Sequence, residues 1–99
     1  MVKHIVMFRL KDGLEESTRR MAMHNFKDGI ERLPEVIPFI KSVFVGFNIN
    51  EAEAWDICLE SVFNTLDEVK AYSTHPAHVA VASALKPYVE QRACVDFEV

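Results

Sequence analysis

The hydrophobic periodicity of the chain changes repeatedly along its 99 residues, and this succession restricts the fold more than any other feature. Residues 2–10 alternate strongly apolar side chains with more polar ones, which predicts a β-strand whose more apolar side faces the core. From Glu15 to Leu33 apolar residues recur every three or four positions, as in an amphipathic helix that ends before Pro34. The chain therefore opens with a strand and a helix.

Period-two patterns return over residues 39–49, 55–63 and 93–99, so three further strands are predicted. Before the last of them, Thr65 and Glu68 have the spacing of a capping box that opens a short helix. The order of elements is strand, helix, strand, strand, helix pair and strand. With short connections, this order predicts an α+β fold, the ferredoxin-like βαββαβ plait with a four-stranded antiparallel sheet. In this plait the first strand is central and the second lies at an edge.

Composition and charge exclude several classes of partner. The chain is 49% apolar with a net charge of −4, so we expect one domain over residues 1–99 that binds neither nucleic acid nor an anionic membrane. No apolar run approaches the ~20 residues of a membrane-spanning helix. The amino end lacks the features of a signal peptide, and two cysteines are too few for a disulfide scaffold. We therefore expect a cytoplasmic protein.

The second face of the predicted sheet has no helix to cover it. We assign to it the apolar residues Ile5, Met7, Cys58, Val62 and Cys94. The charged residues placed there could pair across strands, namely Lys3 and Arg9 with Asp56, Glu60, Asp96 and Glu98. Leaving apolar side chains in water forgoes roughly 1.5–3 kcal/mol each, and an apolar edge strand invites pairing. We predict a homodimer that closes a barrel, with a monomer of mixed face as the alternative.

The two cysteines, Cys58 and Cys94, fall two strands apart in this plait. Their separation of about 9–10 Å exceeds the ~7 Å limit for a disulfide. We expect free thiols that serve as small buried apolar residues.

Pro76 suits the first turn of a second helix, where its missing N–H costs nothing. The predicted buried stripe of that helix is Val79, Ala82 and Leu85. His78 lies in the first turn, where the positive end of the helix dipole favours a neutral imidazole that can act as a base.

Tyr72 and His4 are predicted to share a pocket with His78. Tyr72 ends the preceding short helix, and His4 lies on the helix-facing side of the first strand. Apolar side chains would wall this small-molecule pocket, namely Phe8, Phe26, Trp55 and Leu59.

Structural explanations of the same residues remain open. His75 could satisfy backbone groups at the helix start, His78 could bond the sheet, and Tyr72 could be a core aromatic. His24 lies on the polar side of the first helix and should be solvated. His75 and His78 have ligand-pair spacing, but no third ligand follows from the sequence, so neither a metal nor a cofactor is expected.

Four segments resemble the stress-responsive alpha/beta-barrel (Dabb) family. They are residues 2–8, Val45-Gly46, the stretch from Tyr72 to Val79 and residues 95–98. The resemblance implies a ferredoxin-like monomer that pairs into a dimeric α/β barrel. The architecture is similar to that of antibiotic-biosynthesis-type monooxygenases and of polyketide cyclases that act without a bound cofactor.

A plant polyketide cyclase of this family performs an intramolecular aldol condensation. Tyr72 and His78 match its catalytic pair, and His4 matches a pocket histidine on its first strand. The resemblance implies that His78 removes a proton beside a carbonyl while Tyr72 holds the enolate oxygen. Ile57 stands where that cyclase has a second pocket histidine.

Three functional hypotheses follow. The leading one is a homodimer of uncharacterised role that binds a small apolar or carbonyl-bearing molecule in the pocket between helices and sheet, or in which the dimer itself is the functional product. The second is a cyclase-like lyase that uses His78 and Tyr72. The third is a cofactor-free monooxygenase, which rests on architecture alone.

Overall fold

The computed structural model describes all 99 residues. Its strands are β1 (Val2–Leu10), β2 (Ser42–Phe47), β3 (Ile57–Phe63) and β4 (Val89–Glu98). Its α-helices are α1 (Glu16–Glu31), α2 (Leu66–Thr74) and α3 (Pro76–Leu85), and short 3-10 turns occupy Leu33–Glu35 and Lys86–Tyr88. No helix is both long and apolar enough to cross a bilayer.

The four strands form one antiparallel sheet in the order β2-β3-β1-β4. This order confirms the α+β, ferredoxin-like plait with β1 in the centre and β2 at an edge. His4 on β1 lies opposite Ser61 on β3 and Asp96 on β4. Residues directly opposite in an antiparallel pair share a face of the sheet, so this register decides which side chains meet.

The core lies between the sheet and the helices. On β1, the residues that face it include Val2, Val6 and Leu10, which are buried, and Phe8, which is half-buried. The stripe of α1 that packs against them contains Ala22, Phe26 and Ile30. The helical spacing of α1 and the alternation of β1 therefore direct apolar side chains to one shared interior.

Helix α2 begins at the predicted cap. The hydroxyl of Thr65 accepts a hydrogen bond from the N–H of Glu68 at 3.2 Å. The carboxylate of Glu68 accepts from the N–H of Asn64 rather than from that of Thr65 itself. In this capping box the glutamate therefore bonds to the residue before the cap, whereas in the usual form it bonds to the N–H of the cap residue itself.

Strand β2 is shorter than the predicted residues 39–49. Ile40 is buried before the strand begins, in a segment whose turn contains Pro38, a residue without a backbone donor. At the other end, the amide oxygen of Asn48 accepts from the N–H of Asn50, which turns the chain away, and Ile49 is fully exposed. Local hydrogen bonds of asparagine replace the ladder at this point.

The buried stripe of helix α3 agrees only in part with the prediction. Leu85 is buried and Ala82 half-buried, as predicted, but Val79 is exposed, and Ala77 and Val81 pack against the core instead. Helix α3 is apolar on several sides, so periodicity could not select its inner face completely.

Strand β4 turns towards the helices the face that the sequence predicted to lie on the open side of the sheet. Cys94 lies opposite Val6 and Asp96 opposite His4, so both face the helix side. Val95 and Phe97 lie on the open face instead. The alternation of β4 predicts that its apolar residues face the helices. No helix packs extensively on this edge strand, however, so the register with β1 decides which side chains face inwards.

The open face of the sheet is consequently more apolar than predicted. Phe44, Val95 and Phe97 are exposed on it, and only the Lys3–Glu60 pair, 2.7 Å apart, joins predicted cross-strand charges. Both cysteines are free, as expected, but the prediction that they are buried is wrong. Cys58 lies on the uncovered face, and Cys94 lies on a strand that no helix covers.

Candidate functional site

A cavity of about 640 Å³ opens between the helix-facing side of the sheet and α3. Its floor is apolar and consists of Val6, Phe8, Phe26 and Leu59, with His4 and His78 beside it. The rim is polar and charged, with Ser73, Ser83, Lys86, Glu90, Gln91 and Arg92. Volumes of roughly 300–1,000 Å³ with a few placed polar groups are typical of small-molecule sites.

The structure brings most of the predicted pocket residues to this cavity. His4, Phe8, Phe26, Leu59 and His78 are among its lining residues. Neither Tyr72 nor Trp55 is part of the lining. Tyr72 is fully buried behind it, with its ring beside those of His4 and His78. Trp55 precedes β3, which begins only at Ile57. Its side chain therefore lacks the inward direction that a strand beginning at residue 55 would give it. The predicted wall therefore lacks this residue.

The ring of His78 is held in one tautomer when neutral. Its Nδ1 lies 3.0 Å from the carbonyl oxygen of Ser73, at the end of α2. A carbonyl oxygen only accepts, so Nδ1 carries the proton and Nε2 is the nitrogen that can take one up. Burial lowers the pKa of His78, and nearby His4, Arg92 and His75 act in the same direction against the Ser73 hydrogen bond. The ring is thus a neutral base at pH 7.

Tyr72 presents a buried hydroxyl with no hydrogen-bond partner. Its ring centroid lies 4.4 Å from that of His78 and 6.0 Å from that of His4. Burial raises the pKa of the phenol well above its usual value, so the group remains a donor throughout the physiological range. An unpaired buried hydroxyl costs about 1–3 kcal/mol, which a ligand acceptor could recover.

His4 makes contacts that the sequence interpretation missed. Its Nδ1 lies 2.5 Å from Oδ1 of Asp96 and 3.7 Å from Sγ of Cys94. Burial, and after it the charge of Asp96, raises the pKa of the Cys94 thiol, despite the opposing effect of Arg92. In the sequence, the two-residue spacing of Cys94 and Asp96 indicated that their side chains share one face of β4. The predicted face was the uncovered one, whereas both residues lie on the helix-facing side.

The other histidines have structural surroundings. Nδ1 of His75 accepts from the N–H of Ala77 at 3.1 Å, which confirms that His75 caps the start of α3. His24 is exposed, as predicted, and its ring packs edge-on against Phe47 with centroids 5.2 Å apart. Neither residue lines the cavity.

Together, the fold and the cavity define an α+β protein of ferredoxin-like topology with a small-molecule-sized cleft between its sheet and its helices. The chain belongs to the stress-responsive A/B barrel domain (Dabb) family, whose sequence model matches residues 2–99.

Three known proteins illustrate its similarities. The chain is 47% identical to a dimeric Bacteroides fragilis protein of unknown function with a ferredoxin-like fold, with a TM-score of 0.97 and coverage of 99% of this chain and 95% of that one. It is 24% identical to the olivetolic acid cyclase of Cannabis sativa over 97% of this chain and 94% of the relative. Hydroxynitrile lyase from Passiflora edulis shares the fold at 18% identity, with a TM-score of 0.75 and coverage of 99% and 92%.

Proposed function

We propose that this protein is a homodimer that binds a small carbonyl compound in the cavity and catalyses proton transfer beside the carbonyl group. The observation that carries the proposal is the pairing of a neutral cavity histidine, His78, with the unpartnered buried hydroxyl of Tyr72. A general base and a hydrogen-bond donor are the two groups that enolate formation requires.

In the proposed reaction, Nε2 of His78 removes a proton from the carbon next to the carbonyl. The electron pair of that C–H bond moves into the carbonyl, and the O–H of Tyr72 donates a hydrogen bond to the developing enolate oxygen. The enolate carbon then attacks a second carbonyl of the same molecule. The imidazolium of His78 returns its proton to the alkoxide that forms, so the enzyme ends in its starting state.

The cavity also favours a particular ligand shape. Its apolar floor suits an alkyl or aryl body, and its rim carries Lys86 and Arg92 against a single acid, Glu90. Neither cation takes part in the six ion pairs of the chain. A keto compound with an acidic end fits this arrangement, because its anion can pair with the rim while the ketone reaches His78.

Two known proteins bear on this proposal. A cyclase is among the sequence relatives of the chain, and a lyase is among the proteins that share its fold. Ile57, which replaces the third-strand histidine expected of a plant polyketide cyclase, is buried in the core here. A reaction in this protein would therefore have to proceed with His78 and Tyr72 and without that histidine.

A non-catalytic binding protein is the second candidate. The complete burial of Tyr72 against Phe63, with ring centroids 5.1 Å apart, is what a purely structural aromatic would show. In that case the cavity binds its ligand, and His78 and Tyr72 stabilise the fold only.

Deuterium exchange at the carbons beside the ketone of 5-oxodecanoate, followed by NMR in D₂O, distinguishes the candidates. We expect His78→Gln to slow exchange by about 10²–10⁴-fold. Tyr72→Phe should slow it while keeping or raising the melting temperature, because it removes an unsatisfied buried hydroxyl. His24→Gln and Tyr88→Phe, outside this cavity, serve as matched controls.

Binding of the keto acid without exchange would favour the non-catalytic candidate. If both site variants mainly lower the melting temperature, the Tyr–His pair is structural and the proposed reaction is wrong.

A further inference from the structure

Three potential metal ligands converge on the helix-facing side of the β1–β4 pair. One nitrogen of His4, Sγ of Cys94 and one carboxylate oxygen of Asp96 lie within 4.8 Å of one another. His4 and Asp96 are direct partners across the two strands, and Cys94 lies two residues earlier on the same face of β4. Because each residue belongs to a paired strand, the backbone fixes their relative positions.

The contacts differ from those of a catalytic relay. In a nucleophile–histidine–acid triad, the nucleophile and the acid bind opposite ring nitrogens. Here the thiol and the carboxylate both approach Nδ1 of His4, at 3.7 and 2.5 Å. Donors that point to one common position suit coordination of a cation better than proton transfer along a chain.

We propose that His4, Cys94 and Asp96 form a binding site for a thiophilic divalent cation, most favourably Zn²⁺. The site supplies one nitrogen, one sulfur and one oxygen ligand, a combination that zinc accepts and that magnesium and calcium do not prefer. Metal–ligand bonds of about 2.0–2.3 Å separate the donors by more than 2.5 Å. The ion therefore replaces the proton between His4 and Asp96, and these two side chains move slightly apart.

The site is open to solvent, since Cys94 and Asp96 are exposed, and it adjoins the cavity, which His4 lines. Three protein ligands leave a fourth position of a tetrahedral ion free, which is the arrangement of zinc sites that also hold an external ligand. The proposal goes beyond the reaction assigned to His78 and Tyr72 and does not depend on it.

Cobalt(II) titration of the metal-free, reduced protein tests the site, because a cobalt–thiolate bond gives a charge-transfer band that ions bound only by oxygen and nitrogen lack. We expect one Co²⁺ per chain in the wild type, displaced by Zn²⁺. Cys94→Ser should abolish the band, and Asp96→Asn should weaken binding by at least about tenfold. Cys58→Ser, which alters the cysteine on the opposite face, should leave both unchanged.

Two results would overturn the zinc proposal. One is a wild-type protein that binds no Co²⁺ or Zn²⁺ in competition with a weak chelator. The other is the same band in Cys94→Ser as in the wild type. If Cys94→Ser folds poorly, the cobalt titration of Asp96→Asn decides whether the site exists. A contribution of Asp96 to folding would lower the folded fraction, but it would not change the cobalt spectrum of the protein that is folded.

Discussion

His78 owes its proposed role to its immediate surroundings. The carbonyl of Ser73 fixes the tautomer, while burial above all, and the nearby charge of Arg92, lower the pKa of the ring and keep it neutral. From the sequence, only the position of His78 in the first turn of α3 was evident. The carbonyl partner belongs to another helix, and its approach depends on how α2 and α3 meet.

The pH dependence of deuterium exchange should reflect this lowered pKa. A base is active when unprotonated, so the rate should be constant above about pH 7 and fall as the pH drops below the usual histidine value of about 6.5. Exchange measured from pH 5 to 8 checks the prediction. A rate that instead rises towards low pH would contradict a basic role for His78.

Arg92 should contribute to ligand choice rather than to the reaction itself. We expect Arg92→Gln to weaken binding of 5-oxodecanoate by about fivefold or more, because a charge-assisted hydrogen bond is lost. Binding of the uncharged methyl ester should change little. Calorimetric titration of both compounds tests this, with Arg32→Gln, outside the cavity, as the control. Equal losses for acid and ester would argue against anion recognition.

The contact between α1 and α3 depends on a glycine. A Cβ added at Gly29 would lie 3.0 Å from both γ-methyl groups of Val81. Valine in a helix has essentially one side-chain rotamer, so neither methyl group can turn away. Glycine has a lower helix propensity than alanine, and this close packing explains why a residue without a side chain stands at this position of α1.

Replacement of Gly29 should therefore have opposite effects in two backgrounds. In the wild type, Gly29→Ala should destabilise the protein by about 1 kcal/mol, because the clash outweighs the gain in helix propensity. In a Val81→Ala background the same change should be stabilising. Urea unfolding of the four proteins measures both effects. If Gly29→Ala instead stabilised the wild type, helix α3 would have to shift easily to accommodate the added methyl group, and the predicted clash would be wrong.

At the scale of the whole molecule, the open sheet face requires a partner. Several large apolar side chains stand exposed on it, and burying each would contribute roughly 1.5–3 kcal/mol. They include Phe44, Val95 and Phe97. Dimeric relatives with the same fold support a second copy as that partner.

Val95→Asp should convert the proposed homodimer into folded monomers of 11.3 kDa, because a buried carboxylate without a partner opposes association. Val36→Asp is the matched control, since Val36 is 57% exposed and Val95 55%, but Val36 lies outside the sheet. Light scattering after size exclusion measures the mass. A wild-type protein that is already monomeric at micromolar concentration would contradict the dimer.

The sequence by itself determined the order of elements, the plait, the inward face of β1 and the caps at Thr65 and His75. These depend on periodicity and on contacts between residues close in the chain, which a linear reading contains. The tertiary structure alone decided that β4 turns Asp96 towards His4 and leaves Trp55 outside the cavity. Strand register is set by pairing between distant segments, and a shift of one residue exchanges the two faces of a strand.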